Sequence, residues 1–361
     1  DLYTFIRKEK AYSFLALLIV LIFFVTFLKG NFDADFFVLK KLLIIIFLVP
    51  LAIPLKTVNH LIIAFIVSVF IAMLISIFNI IGFIIVEQGF NFSKGNYIND
   101  ILISERLYIG FACVISLVFS LDLFKSIKGN KVIRIVLLVN ILAIISFLFL
   151  ITARIAIISS LFVLLYFISI QFKLKQKLIL YATVILCLVL FFSLNKNLTK
   201  RFLHLDDQYS STIIDKVKLH EPRYDIWSCG VNNIKLNSSL LVGYGYSATK
   251  ELLVDCYKGM NKKERKDWFV QNRFNTHNQF LDILLGSGVF GLIFFCVALY
   301  FLILRGNFSF LTVSLVSILV LIMMVENIFH RQVGCYLFSF VVIIIIKKRE
   351  ILKFSNVLHD K

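Results

Sequence analysis

The sequence lacks any cluster of cysteine and histidine at metal-ligand spacing, and it lacks a clear internal repeat. The first absence predicts a protein without a structural or catalytic metal, and we expect no other cofactor. The second absence removes the internal symmetry that would support an inverted-repeat transporter. Gly243 and Gly245 are too few for a phosphate-cradling loop, so they predict a tight turn.

Proline is also scarce, with 3 residues among 361, whereas 60% of the residues are hydrophobic and 39 are phenylalanine. So much apolar side chain cannot be buried in one water-soluble core. The composition therefore predicts an all-α polytopic membrane protein whose solvent is the membrane lipid.

Acidic residues are fewer than basic ones, and the net charge is +17. In a soluble protein this excess would suggest nucleic acid, but here the basic residues lie mostly between apolar runs. Orientation in a membrane explains that distribution better, so we expect no nucleic-acid partner.

Runs long enough to cross about 30 Å of hydrocarbon predict about ten transmembrane helices. They lie near 11–28, 38–55, 60–86, 106–121, 132–151, 154–170, 178–194, 278–304, 308–329 and 333–346.

The positive-inside rule orients these spans with both termini in the cytoplasm. Basic residues then fall on the cytoplasmic side at almost every connection, namely Arg7, Lys8, Lys10, Lys56, Lys125, Lys128, Lys131, Arg134, Lys173, Lys175, Lys177, Lys347, Lys348 and Arg349. Lys40 and Lys41 disagree, and we expect them to snorkel to the outer interface. The chain divides into N-terminal spans at 1–194, a periplasmic loop at 195–276 and C-terminal spans with a tail at 277–361. Hydrophobic spacing predicts an amphipathic helix at 222–236 within the loop.

His277 lies where this loop re-enters the membrane. A neutral imidazole there can accept a proton near physiological pH, as a general base must. A histidine that is simply hydrogen-bonded at the interface is the alternative.

Two arginines reach the same predicted face. Arg154 stands at the mouth of a very short turn, where an unpaired guanidinium is costly, and Arg223 begins the predicted loop helix. Lipid anchoring for Arg154 and an exposed helix charge for Arg223 are the alternatives. The guanidinium group of arginine binds phosphate oxygens through two parallel hydrogen bonds. The two arginines and His277 therefore provide the groups needed to displace a diphosphate leaving group.

Four further polar residues are supporting candidates. Asn278 follows the histidine, and Glu326 and Arg331 lie with His330 on the same face. An acid there would orient His277 or an arginine, although a local salt bridge explains it equally well. Cys229 and Cys256 fall in polar sequence facing an oxidising compartment, so they are candidates for a disulfide.

Several short motifs follow one another in a specific order. They are Thr152-Ala153-Arg154, Arg223-Tyr224-Asp225-Ile226-Trp227, Gly243-Tyr244-Gly245, the run from His277-Asn278 through Gly288 and Gly291, Glu326-Asn327, and Arg331-Gln332-Val333-Gly334. In this order they resemble the bacterial O-antigen ligase and O-antigen polymerase superfamily. Members commonly have more spans, which is expected if this sequence lacks its natural start.

The resemblance implies a GT-C-like, metal-independent inverting glycosyltransferase of the inner membrane, with its active site on the periplasmic face. Its donor would be an undecaprenyl-diphosphate-linked glycan, and its acceptor lipid A-core for a ligase or a lipid-linked glycan for a polymerase. By position, His277 would be the base, while Arg154 and Arg223 would hold the diphosphate. We expect a ligase rather than a polymerase. The alternative from a different functional class is a transporter of lipid-linked oligosaccharide.

Overall fold

The computed structural model describes residues 2–30, 32–87, 97–127, 129–194, 221–236 and 241–359, and these residues form helices without any β-strand. The helices are α1 (Leu2–Lys8), α2 (Lys10–Leu28), α3 (Phe32–Leu51), α4 (Asn59–Glu87), α5 (Tyr97–Ile101), α6 (Arg106–Ser126), α7 (Lys131–Leu150), α8 (Arg154–Gln171), α9 (Leu174–Leu194), α10 (Pro222–Leu236), α11 (Tyr246–Lys258), α12 (Lys263–Asn272), α13 (Gln279–Arg305), α14 (Phe310–Met323) and α15 (Gln332–His359). A single 3-10 turn, Ile328–His330, lies between α14 and α15.

Six of the described helices are long and apolar enough to cross a membrane. They are α2, α4, α6, α7, α8 and α13. A helix in a bilayer satisfies every backbone hydrogen bond within itself, which is why long apolar runs form helices. The protein is therefore a helical membrane protein with six candidate spans, and the count of ten stays a prediction.

The remaining four predicted spans are also helical, but two have different ends. The run at 38–55 belongs to α3, which ends at Leu51, and the run at 308–329 ends six residues earlier than expected, at Met323. Residues 324–331 instead form an irregular segment with the 3-10 turn. The prediction was wrong there because apolar Val325, Ile328 and Phe329 extend the hydrophobic run beyond the helix.

The chain forms two compact units. The first comprises Asp1–Thr57, Glu221–Phe308 and Leu319–Lys361, and the second comprises Val58–His220 and Ser309–Ile318. The predicted boundaries at 194 and 276 followed membrane topology, which compactness does not test, so they remain predictions. Residues 195–220 and 237–240 of the predicted loop lie outside the described residues.

In the first unit, α2 packs against α13 and α3, and α3 packs against α15. Phe14 of α2 stacks on Phe301 of α13 with ring centroids 5.6 Å apart. The hydroxyl of Tyr12 donates a hydrogen bond to the carbonyl of Ile46 at 2.8 Å. Glu9, which is almost fully buried, accepts from Arg305 at 2.7 Å. The contacts of Phe14 and Glu9 join opposite ends of the sequence.

Helices α10, α11 and α12 form a small cluster within the same unit. Its buried core is Ile226, Cys229, Leu253, Val254, Tyr257 and Phe269. The predicted helix at 222–236 is confirmed as α10. Its apolar face packs against the other two helices, as its hydrophobic spacing requires.

A backbone crossing between two glycines attaches this cluster to α13. Gly288 interrupts α13 with φ +74°, and Gly243 has φ +82°. The kink exposes the carbonyls of Leu285 and Gly286, which accept from the backbone of Tyr244 and Gly245 at 2.8 and 2.9 Å. A Cβ at either crossing glycine would overlap the backbone at the other. The tight turn at 243–245 stays a prediction, but its two glycines have the positive φ that permits this close approach.

In the second unit, α6 packs against α4, α7 and α8. Gly110 of α6 allows a close approach to Ala156 of α8, since a Cβ there would lie 2.9 Å from the Ala156 Cβ. Asn140 of α7 donates to the Ser120 hydroxyl of α6 at 2.9 Å. Small and polar residues at helix contacts are typical of membrane helix packing.

Candidate functional site

His277 lies in the short segment that joins α12 to α13. Its φ is +42°, a conformation uncommon for a residue with a side chain, and its backbone N–H donates to Asn275 Oδ1 at 3.1 Å. The next residue, Asn278, caps α13 by accepting from the backbone of Phe280 and Leu281, each at 3.0 Å. Asn278 therefore starts the helix and determines where His277 stands.

His277 pairs with Glu326, which lies in the segment between α14 and α15. Nδ1 of His277 is 3.2 Å from Glu326 Oε2, and the two side chains are 26% and 16% exposed. An ionised carboxylate can only accept, so the contact favours the tautomer with the proton on Nδ1. Nε2 then keeps its lone pair for a proton, as in a base–acid pair.

The environment of Glu326 keeps its carboxyl ionised. Burial by itself raises the pKa of Glu326, but the hydrogen bond and charge of His277, the charge of Arg223 and the backbone N–H of Asn327 outweigh it. The net effect is a pKa below the usual value of 4.5. Glu326 is thus a carboxylate at neutral pH, facing Nδ1 of His277.

Arg223, the second residue of α10, is positioned beside this pair. Its Nε donates to the carbonyl of Val325 at 3.0 Å, and its Nη1 donates to Glu221 at 2.8 Å. Its side chain is 26% exposed, so the guanidinium is neither buried nor fully solvated. Pro222 begins α10 one residue earlier, where the ring of proline suits the first helical position. The structure therefore brings Arg223, Glu326 and His277 together.

Arg154 is the first residue of α8 and belongs to the second unit. The predicted short turn before it is confirmed, because α7 ends at Leu150 and Thr152 turns the chain with φ +51°. The side chain of Arg154 is partly buried. Its placement beside His277 remains a prediction.

Residues 138–296 match the family model described as O-antigen ligase. Over this segment, the chain is similar to the O-antigen ligase family. The resemblance stated from the motifs is thereby confirmed, and the matched segment includes Arg154, Arg223 and His277. Glu326 and Arg331 lie beyond it. No curated protein matches the chain significantly in sequence.

Behind His277 lies a buried polar network centred on Asp282. Thr276 donates to Asp282 Oδ1 at 3.2 Å, and Asn327 Nδ2 donates to the same oxygen at 3.0 Å. The other oxygen, Oδ2, lies 2.8 Å from His330 Nε2. Asn327 also donates to Thr276 at 2.8 Å. Because Thr276 precedes His277 and Asn327 follows Glu326, the network holds both members of the pair by their neighbours.

Sequence reasoning did not select Asp282, although a signal was present. It is an acid within an otherwise apolar stretch of a candidate span, and such residues are costly unless they have partners. Lys41, one of the two lysines that disagree with the predicted orientation, is largely buried and donates from Nζ to the carbonyl of His330 at 2.5 Å. Its predicted snorkelling to the outer interface stays a prediction.

The candidate cysteines of the O-antigen ligase segment form a disulfide, Cys229–Cys256, with a Cα separation of 5.8 Å. It joins α10 to α11, with Cys229 in the buried core of their cluster and Cys256 packed against it. Among the described residues, no group of three or more His, Cys, Asp or Glu is arranged to hold a metal ion. Arg331 lies beside a cavity with His330, and Asn278 acts as a helix cap rather than as a partner of the His277 ring.

Proposed function

We propose that this protein is a metal-independent inverting glycosyltransferase of the O-antigen ligase type. It moves a glycan from an undecaprenyl-diphosphate donor to an acceptor hydroxyl, with lipid A-core as the acceptor. The observation that carries this proposal is the 3.2 Å contact of His277 Nδ1 with Glu326, beside Arg223. The family match over residues 138–296 supports the same class.

In the proposed reaction, His277 Nε2 takes the proton of the acceptor hydroxyl as its oxygen attacks the anomeric carbon. The bond from that carbon to the diphosphate oxygen breaks, and its electron pair leaves on the diphosphate. One direct displacement inverts the anomeric centre. Glu326 stabilises the imidazolium that forms, because its charge is already in place.

The arginines act on the leaving group. Negative charge grows on the diphosphate, and a planar guanidinium offers it two parallel donors. Arg223 has two hydrogen bonds that fix its orientation and a quarter of its side chain exposed for a ligand. We assign Arg154 the same role. The donor's lipid tail would stay in the inner membrane while its diphosphate and glycan meet these residues at the periplasmic face.

The deciding experiment incubates purified protein with an undecaprenyl-diphosphate oligosaccharide and, separately, lipid A-core or a second lipid-linked repeat. Mass analysis of the products should show glycosylated lipid A-core, with no transfer by His277→Ala. His60→Ala is the matched control, since His60 is exposed at the start of α4 and should keep full transfer.

Elongated lipid-linked glycan as the only product would make the protein a polymerase. Translocation of the donor across a vesicle membrane without any new glycosidic bond would make it a transporter. Full transfer by His277→Ala would refute the assigned base under either acceptor.

A further inference from the structure

The first unit contains a cavity of about 390 Å³ that is not lined by His277, Glu326 or Arg223. Residues of α3, α11, α13 and the 3-10 turn line it, together with Asn275 and Thr276 just before His277. A volume of this size is in the range of small-molecule sites in proteins. Its lining contains cations, carboxylates, hydrogen-bonding groups and aromatic rings.

Three cations, Lys250, Arg273 and Arg331, line the cavity. The acids there already have partners, because Glu251 pairs with Arg273 and Asp282 accepts from the network behind His277. Lys250 is exposed, and it makes no ion pair or side-chain hydrogen bond with the part of the chain that the structure describes. With both carboxylates occupied, the lining favours a ligand that carries negative charge.

One polar group in the cavity lining has no hydrogen-bond partner among the described residues. The hydroxyl oxygen of Ser247 is buried and has no partner among the described residues. Its backbone is held in place, since the Ser247 N–H donates to Asp35 Oδ1 at 2.6 Å. A buried hydroxyl without a partner costs about 1–3 kcal/mol, so a ligand that supplied the bond would gain affinity.

Aromatic and amide groups complete the lining. The rings of Phe37 and Tyr246 stand beside the polar side chains of Thr249 and Asn275. A saccharide has apolar C–H faces for such rings and many hydroxyls that both donate and accept. Inorganic anions offer no such faces, so rings and amides would add nothing to their binding.

We propose that this cavity binds a saccharide that carries an anionic group, either a phosphate or a carboxylate. Lys250 meets the charge, Ser247 and Asn275 bond the hydroxyls, and Phe37 covers an apolar face. Neither His277 nor Arg223 lines the cavity, so binding is measurable even where transfer fails. Under the proposed glycosyl transfer, and resting on it, such a site selects acidic glycans as substrates.

The test uses the full chain in detergent. Saturation-transfer NMR measures the binding of glucose 1-phosphate, glucuronic acid and glucose, and inorganic phosphate, which has no C–H protons, is measured by its competition with glucose 1-phosphate. We expect saturable binding of the two acidic sugars, about tenfold tighter than glucose, which corresponds to about 1.4 kcal/mol. Glucose 1-phosphate alone would assign a phosphorylated sugar, and glucuronic acid alone a uronic acid. Glucose binding as tightly as both would overturn the anionic ligand, and phosphate binding as tightly would overturn the saccharide.

Variants locate the site. Lys250→Ala and Ser247→Ala should each weaken the binding of the acidic sugars about fivefold or more. The first variant loses a charge contact, and the second loses a hydrogen bond from a hydroxyl. Lys258→Ala is the matched control, because Lys258 is on the same helix and pairs with Asp255. Unchanged binding in both variants would place the ligand elsewhere. His277→Ala should bind normally, which separates this site from failure of the transfer reaction.

Discussion

His277 and Glu326 are 49 residues apart in sequence, yet Nδ1 of the histidine lies 3.2 Å from the carboxylate. Around this pair, Arg223 holds the carbonyl of Val325, and the Asp282 network holds Thr276 and Asn327. The proposed chemistry and its supports can therefore be tested one residue at a time.

Glu326→Gln should lower the rate of glycan transfer by about two orders of magnitude, within the range for general base assistance. The amide keeps the size of the side chain but removes the charge that stabilises the imidazolium. Initial rates with saturating donor measure the effect. Glu264→Gln, at an exposed position on α12, should leave the rate unchanged. Equal rates for both variants would argue against the pair.

The lowered pKa of Glu326 predicts a pH-dependent stability. Its folded pKa is below the usual 4.5, so its stabilising contribution is present above that pH and is lost as the pH falls through the lowered value. Thermal unfolding in detergent is followed by tryptophan fluorescence from pH 3 to pH 7. The wild type should have a higher midpoint of unfolding than Glu326→Gln near neutral pH, and this difference should be lost below about pH 4.5. A constant difference between the two midpoints over that interval would contradict the lowered pKa of Glu326.

Arg223→Lys should impair transfer strongly although the charge is kept. A lysine cannot make the two contacts of the guanidinium, with Val325 and Glu221, while offering a planar fork to a diphosphate. We expect a loss of about tenfold or more in kcat/KM. Arg7→Lys, exposed in α1, serves as control. Wild-type activity for Arg223→Lys would mean that positive charge suffices there.

Asp282→Leu should destabilise the first unit by about 1–3 kcal/mol for each buried group left unpaired. Thr276, Asn327 and His330 would lose a shared acceptor. Asp282→Asn should be milder because it keeps one oxygen. Asp267→Asn, on the exposed side of α12, should leave the midpoint of thermal unfolding unchanged. A stable Asp282→Leu protein would show that the network is dispensable.

Gly288→Ala should destabilise the crossing with the 243–245 turn. Its φ of +74° strains any side chain, and a Cβ would overlap the carbonyl of Leu241. The cost should be about 1–3 kcal/mol or more, with faster proteolysis of α11. Gly82→Ala is the control, since a Cβ there meets nothing within 4 Å and alanine favours a helix. Similar proteolysis rates would refute the crossing.

The sequence by itself predicted the helices, the short turn before Arg154 and the main candidate site residues. Apolar runs and helical spacing are local properties, so they predicted the candidate spans and α10. The motif around His277, with Arg154 and Arg223, indicated the family that the match over 138–296 confirms. The end of α14 at Met323 was missed because hydrophobicity continues past the helix.

The tertiary structure alone decided which residues meet. No periodicity relates Glu326 to His277 or His330 to Asp282, because these pairs form only when the segment after α14 packs against the start of α13. The burial of Lys41 and the cavity beside Lys250 and Ser247 likewise depend on helices distant in the chain. Contacts between separate segments follow from packing in three dimensions, and a one-dimensional pattern does not contain that information.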